Sequence, residues 1–309
     1  MGKITVLGDF EKVFPSSPKV RELEQKGYTF DYAEPRSDSD TVEALKNADI
    51  AILVRERAKM PRHVIEQLPN LQMISQTGSG TAHLDKGALE ENNIKLTLTG
   101  GTSAPSVVEL TFGMIIGCMR QFTVHRNHLM QEQWKQIPGF ELQHKRIGLI
   151  GYGEISREIA KVAQAFQMEP VTWRPTGEKG DEEIPVLELD ELLATSDIVS
   201  IHVRLVPELK NVLNREKLFK MKKGSVLINT ARGALIDNQA LIELLESGHL
   251  LGAGIDTYPE EPLTENPFKN CPNVILTPHI GYITWEVLQR FADISLENII
   301  GNLPTLSKQ

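Results

Sequence analysis

Short runs of apolar and β-branched residues alternate along the whole chain with stretches whose apolar positions recur every three or four residues. That rhythm predicts strands followed by helices, the pattern of parallel α/β sheets. In the first third the strand-like runs lie at 4–8 (ITVLG), 28–32 (YTFDY), 49–54 (DIAILV), 71–77 (LQMISQT) and 94–98 (IKLTL). A long apolar-periodic run at 106–134 follows a Ser/Thr/Pro start signal and predicts one or two helices, too apolar for a solvated surface. A second βα series then begins, with strands expected at 146–151, 169–174, 197–203, 225–230, 252–257 and 273–279. A last helix is expected over 285–300, with no strand of its own to cover.

At 309 residues the length suggests two domains of about 150 residues each. Composition changes little: 40% hydrophobic and 24% charged residues exclude collagen-like, low-complexity and largely disordered chains. The net charge of −8 removes any overall basic field for phosphate backbones or anionic lipid, so neither nucleic acid nor a membrane is expected as a partner. The longest nearly apolar stretch, 110–119, is too short to cross a bilayer. Cys118 and Cys271 form neither a disulfide framework nor a zinc-ligand spacing, and the start MGKITVLGD has no signal-peptide core. A cytoplasmic location is the resulting expectation.

The segment IGLIGYGEISREIA at 147–160 sets Gly151 and Gly153 between a strand and a helix. Glycines at such a turn let the backbone approach a pyrophosphate at the positive end of the helix, so Gly151, Tyr152, Gly153, Glu154 and Ile155 are candidate dinucleotide contacts. Ser156 stands at the third glycine position of GxGxxG, a small residue that keeps helix and sheet close. About 20 residues on, where an acid usually accepts the ribose 2′-hydroxyl of NAD, the chain has Arg174. A guanidinium there suits a 2′-phosphate and favours NADP over NAD, with Thr176 and Lys179 as helpers on the same loop. The competing reading is that Arg174 caps a strand and stacks on adenine while NAD binds without an acidic contact.

Three later segments, NTARGALID, TYPEEP and TPHIG, put Arg232, Glu261 and His279 after expected strands, where doubly wound sheets bind ligands. Each residue alone has a purely structural reading: a surface ion pair, a loop carboxylate, a core histidine. Together, and after a dinucleotide motif, they resemble the D-isomer-specific 2-hydroxyacid dehydrogenases, and the resemblance covers nearly the whole chain. It implies two doubly wound parallel-sheet domains: a flavodoxin-like substrate domain from 1–100 and 282–309, and a Rossmann-type dinucleotide-binding domain over 101–281 that includes the long helical run.

The resemblance further implies hydride transfer between a nicotinamide cofactor and a small 2-oxo or 2-hydroxy acid, with no metal. His279 is then the acid/base, Glu261 its partner and Arg232 the clamp on the substrate's carboxylate and carbonyl oxygen. Thr230, Ala231 and Asp256 match positions lining the nicotinamide, Asp256 meeting its carboxamide. His202 falls where the family often has His-x-Pro-Leu, with Arg204 in place of the proline. Gly78, Ser79 and Gly80 in QTGSGTAHLD resemble the loop whose amides receive the substrate carboxylate, a backbone nest suited to an anion. Arg55 resembles a position facing the substrate, whereas Arg57 is equally suited to solvent. His144 stands where the family usually has glycine.

The resemblance implies a homodimer, with the run at 107–134 as an interdomain and subunit interface. Two other readings stay open. One is serine-pathway phosphoglycerate dehydrogenase, which the end of the chain soon after the last helix disfavours. The other is a dinucleotide-gated protein-binding module like the C-terminal binding protein corepressors, which the lack of a long disordered tail disfavours.

Overall fold

The computed structural model describes residues 2–177 and 183–306, so Lys179 lies outside the described residues. The chain divides into two compact units, one of Met1–Ser103 with Ile283–Gln309 and one of Ala104–Tyr282.

In the first unit the strands are β1 (Gly2–Leu7), β2 (Tyr28–Ala33), β3 (Ile50–Leu53), β4 (Met73–Gln76) and β5 (Lys95–Leu98), interleaved with helices α1 (Pro18–Gln25), α2 (Asp38–Leu45), α3 (Arg62–Ile65) and α4 (Lys86–Glu91). All pair in parallel in the order β2-β1-β3-β4-β5, the flavodoxin-like arrangement. Because successive strand residues face opposite sides, Leu7, Ala51, Leu53 and Ile74 pack with Leu45, Val64, Ile65 and Leu89 on one face. The other face is covered by α1 and by a final helix from the end of the chain; the Ser75 hydroxyl on that face reaches the carbonyl of Ser295 at 3.3 Å.

The second unit opens with α5 (Ala104–Met119) and α6 (Phe122–Met130), then β6 (Arg146–Ile150), α7 (Glu154–Ala165), β7 (Glu169–Trp173), α8 (Leu189–Thr195), β8 (Ile198–Ile201), α9 (Arg215–Leu218), β9 (Val226–Asn229), α10 (Asn238–Glu246), β10 (Gly252–Ile255) and β11 (Val274–Leu276). The six strands are parallel in the order β11-β10-β9-β8-β6-β7, and α11 (Trp285–Leu306) is the final helix of the first unit. Helices α5 and α7 cover one face through Phe112, Ile115, Ile159 and Ala163, and the helices α8 to α10 cover the other through Leu192, Leu218 and Leu241. The long helical run resolves into two helices bent by 62°, with Gln121 in the left-handed region (φ 53°) at the break. Among the described residues no single helix is long and apolar enough to cross a membrane.

Each sheet has one switch point, where the chain leaves in opposite directions from neighbouring strands: between β1 and β3 in the first unit and between β6 and β8 in the second. The crevice outside the carboxyl ends of the strands there is where open α/β sheets bind ligands.

Candidate active site

The glycine turn lies at the second unit's switch point. Gly151 follows β6 with a φ of 95°, and a Cβ on it would fall 2.7 Å from Val203 and 3.1 Å from the carbonyl of His202, so β8's end leaves no room for a side chain. Gly153 is the N-cap of α7 and brings no side chain to cap it, and a Cβ on it would meet nothing within 4 Å. Bare helix amides beside open space fit a pyrophosphate. Ser156 is fully buried on the sheet side of the helix, Glu154 occupies the first turn, and Tyr152 turns into the core, where the Arg157 guanidinium lies 4.7 Å over its ring. Tyr152 therefore offers a ligand its backbone only.

Arg174 follows β7 directly, with its carbonyl held in a turn by the amide of Gly177 at 3.1 Å. Beyond β8, His202 is turned back onto the sheet, its Nε2 2.7 Å from the hydroxyl of Ser200. Burial pushes its pKa down to about 3, so the imidazole is neutral. Arg204 is exposed on the same loop.

The carboxyl ends of three adjacent strands, β9, β10 and β11, carry the candidate catalytic residues. After β9, Asn229 braces the turn: its side-chain oxygen accepts the amide of Ala231 at 3.0 Å and its nitrogen donates to the carbonyl of Arg232 at 2.9 Å. Thr230 meets the hydroxyl of Thr111 on α5 at 3.3 Å, and the exposed Arg232 donates to the carbonyl of Ala231. Gly233 then presses on the next loop so closely that a Cβ would fall 2.1 Å from the carbonyl carbon of Tyr258. Only glycine lets the arginine and glutamate loops meet there.

Glu261 uses both carboxylate oxygens, one accepting the amide of Tyr258 at 2.8 Å and the other 2.6 Å from Nδ1 of His279. Burial alone would raise the carboxyl's pKa, but the bonds from His279 and Tyr258, with the charge of Arg232, outweigh it and hold Glu261 below the usual carboxylate range. His279 sits in the left-handed region (φ 57°), rare for a residue with a side chain. The fully buried Asp256 fixes that loop: its carboxylate accepts the Thr277 hydroxyl at 2.5 Å and the amides of Ile280 and Gly281 at 2.8 and 2.9 Å. Asp256, which the resemblance implies meets the nicotinamide carboxamide, thus also ties down the histidine loop.

The first unit collects its residues at its own switch point. Arg55 follows β3 with a φ of 57°, its amide donating to the Thr77 hydroxyl at 2.7 Å. Its guanidinium lies against Gly78, where a Cβ would be 1.8 Å from Nη1. The amide of Gly78 is taken by the hydroxyl of Thr99 at 2.7 Å, so of the three loop amides those of Ser79 and Gly80 are the candidate anion donors. Beneath the loop the buried Gln76 donates to the carbonyls of Arg55 and Thr77. Its oxygen lies 3.2 Å from His83, whose pKa burial holds below its ordinary value. Arg57 does not face solvent: it makes two 2.7 Å bonds to Glu11 and a third to the carbonyl of Gly8.

Among the described residues no cluster of His, Cys, Asp or Glu could hold a metal ion. His125 and His249 bond to backbone carbonyls.

A carboxylate–imidazole pair beside a guanidinium can move a proton to or from an oxygen whose charge changes. The family model described as "D-isomer specific 2-hydroxyacid dehydrogenase, NAD binding domain" matches residues 112–281. The chain belongs to the D-isomer-specific 2-hydroxyacid dehydrogenase family. A hydroxypyruvate reductase of Thermotoga maritima is 37% identical over 257 residues, covering 82% of this chain and 84% of the relative. A D-3-phosphoglycerate dehydrogenase of Methanocaldococcus jannaschii is 34% identical over 286 residues, 91% of this chain but 54% of that longer relative. Among solved structures, the TT0316 protein of Thermus thermophilus superposes with a TM-score of 0.89 at 30% identity, covering 98% and 97% of the two chains. The family's NAD-binding domain thus spans the glycine turn and all three candidate catalytic residues.

Proposed function

We propose that the chain is an NAD(P)-dependent reductase of a small 2-oxo acid, forming a D-2-hydroxy acid. The observation that carries this reading is the 2.6 Å pair of His279 and Glu261 at the end of β11, beside the Arg232 turn, in a unit with a dinucleotide-type glycine turn.

The nicotinamide, when bound, supplies the hydride. The protein's residues do the rest. Arg232 binds the substrate's carboxylate and draws charge from its carbonyl oxygen. Glu261 holds Nδ1 of His279, leaving Nε2 to donate a proton to that oxygen as it becomes anionic; in the oxidative direction Nε2 accepts the proton. Asp256 and Asn229 keep the two loops in position. In the first unit Arg55 with the amides of Ser79 and Gly80 forms an anion-binding corner for a carboxylate. Arg174 supports a preference for NADP, because a guanidinium at the end of β7 pairs with a 2′-phosphate. None of the residues of α6 is buried, and Phe122, Leu129, Met130 and Trp134 are exposed, which supports a homodimer.

The test is a screen of glyoxylate, hydroxypyruvate and longer 2-oxo acids with NADPH and NADH, followed by cofactor absorbance. Oxidation of NADPH with at least one acid is expected. Cofactor binding without turnover of any acid would contradict the reading and favour a dinucleotide-gated binding module.

A further inference from the structure

The sequence Arg55-Glu56-Arg57 at the end of β3 puts three charges on one turn, and the structure separates their duties. Arg57 is turned to the loop after β1 and neutralised by Glu11, with the ring of Phe10 4.8 Å from its guanidinium. Arg55 is buried against Gly78. Glu56 lies on the other side of the same loop: a Cβ on Gly80 would fall 1.8 Å from its Oε1, while its Oε2 is 3.4 Å from Nε of Arg55. The Gly78–Gly80 loop is therefore flanked by a guanidinium at one end and a carboxylate at the other. His83, beneath it, is held below its ordinary pKa by burial and adds no positive charge near neutral pH.

We infer that Glu56 is a specificity-determining residue, which selects a substrate with an uncharged hydrogen-bond donor such as a hydroxyl at its far end and rejects a phosphate ester. The inference rests on the proposed reduction of a 2-oxo acid. Its physical basis is charge balance. Both arginines of this turn already have carboxylate partners, Arg55 with Glu56 and Arg57 with Glu11. One substrate carboxylate can be met by Arg55 and the amides of Ser79 and Gly80. A second, doubly charged group would meet the carboxylate of Glu56 at short range in a partly shielded site, where like charges repel strongly. A hydroxyl there would instead donate to it in a charge-assisted bond. Phosphate-specific sites show the opposite design, with excess cations in a rigid fork.

The test compares hydroxypyruvate with its phosphate ester, which differ only in the group at issue. In the wild-type holoenzyme kcat/KM for hydroxypyruvate should exceed that for the ester by about 30-fold or more, and Glu56→Gln should cut that ratio about tenfold, by raising the ester's value and lowering that of hydroxypyruvate. Glu56→Asp keeps the charge and should keep the wild-type preference. A wild type that prefers the ester, or a ratio unmoved in Glu56→Gln, overturns the inference. If neither compound is turned over, calorimetric titration of D-glycerate and 3-phosphoglycerate decides the inference alone; the functional proposal fails only if no 2-oxo acid of the screen is turned over. Glu56→Gln must then tighten 3-phosphoglycerate about tenfold relative to D-glycerate; equal shifts, or no binding of either acid, overturn it.

Discussion

His279 Nδ1 lies 2.6 Å from Oε2 of Glu261, and the other oxygen of that carboxylate is fixed by the amide of Tyr258. The carboxylate is thus held by backbone on one side and holds the imidazole on the other. Replacing it by the isosteric amide in Glu261→Gln keeps the shape but removes the charge that stabilises a protonated ring. A fall in kcat of about 10²-fold is expected, on the scale of lost acid–base catalysis. Steady-state rates with the best 2-oxo acid check it.

The same carboxylate makes a pH prediction. Its pKa is below the ordinary value of 4.5 in the folded protein, because the bonds and charges around it outweigh burial. A depressed carboxylate contributes stability that is present above its unfolded pKa and lost as pH falls through its folded pKa. Chemical denaturation of wild type and Glu261→Gln should therefore differ while the carboxylate is ionised, and the difference should shrink as pH falls below about 4.5. A difference that grows on acidification would show that the carboxyl is not held low.

Gly233→Ala forces a methyl group to within 2.1 Å of the Tyr258 carbonyl carbon, which is backbone and has no rotamer to escape by. Overpacking of this kind costs about 1–3 kcal/mol. It also displaces the arginine loop from the glutamate loop. Lower stability together with a kcat loss larger than the KM change is expected, and a variant matching wild type in both would contradict the packing described.

Arg174 at the end of β7 predicts a kcat/KM ratio for NADPH over NADH above one, falling below one in Arg174→Asp, because an aspartate repels the 2′-phosphate and accepts the 2′-hydroxyl. A wild type with a strong NADH preference would assign the residue a structural role.

Much of this was legible in the sequence, for identifiable reasons. Every expected strand exists: the central ones are buried on both faces and leave continuous apolar runs, while the partly exposed edge strands β2 and β5 are marked by their aromatic, Thr and Leu positions. Edges were less legible: the run at 197–203 yields only Ile198–Ile201, since His202 and Val203 already belong to the switch-point loop. The last helix runs past the expected 300 to Leu306, through Gly301, a residue that commonly marks a helix end. Nothing local marks Gln121 as the left-handed break between α5 and α6.

Arg232, Glu261 and His279 stood out in the sequence because each proposed role rests on a single side chain at a strand end, and the structure brings Glu261 and His279 together. The residues that hold them did not stand out. Asn229 in NTARG had a local signal, since asparagine readily bonds to backbone two residues on. The clamp of Asp256 on the histidine loop and the contact of Gly233 with Tyr258 join segments distant in sequence, and only the fold brings them together. His144 gains an explanation here: its φ of 61° is the conformation for which glycine is preferred.

The most direct measurement of the central claim is the rate of 2-oxo acid reduction by His279→Ala at saturating cofactor, with cofactor affinity measured in parallel. A loss in kcat of about 10² or more with cofactor binding preserved is expected, because the proposed proton donor is removed while the glycine turn is untouched. A near-normal rate in that variant would contradict the assignment of His279 as the group that gives its proton to the substrate.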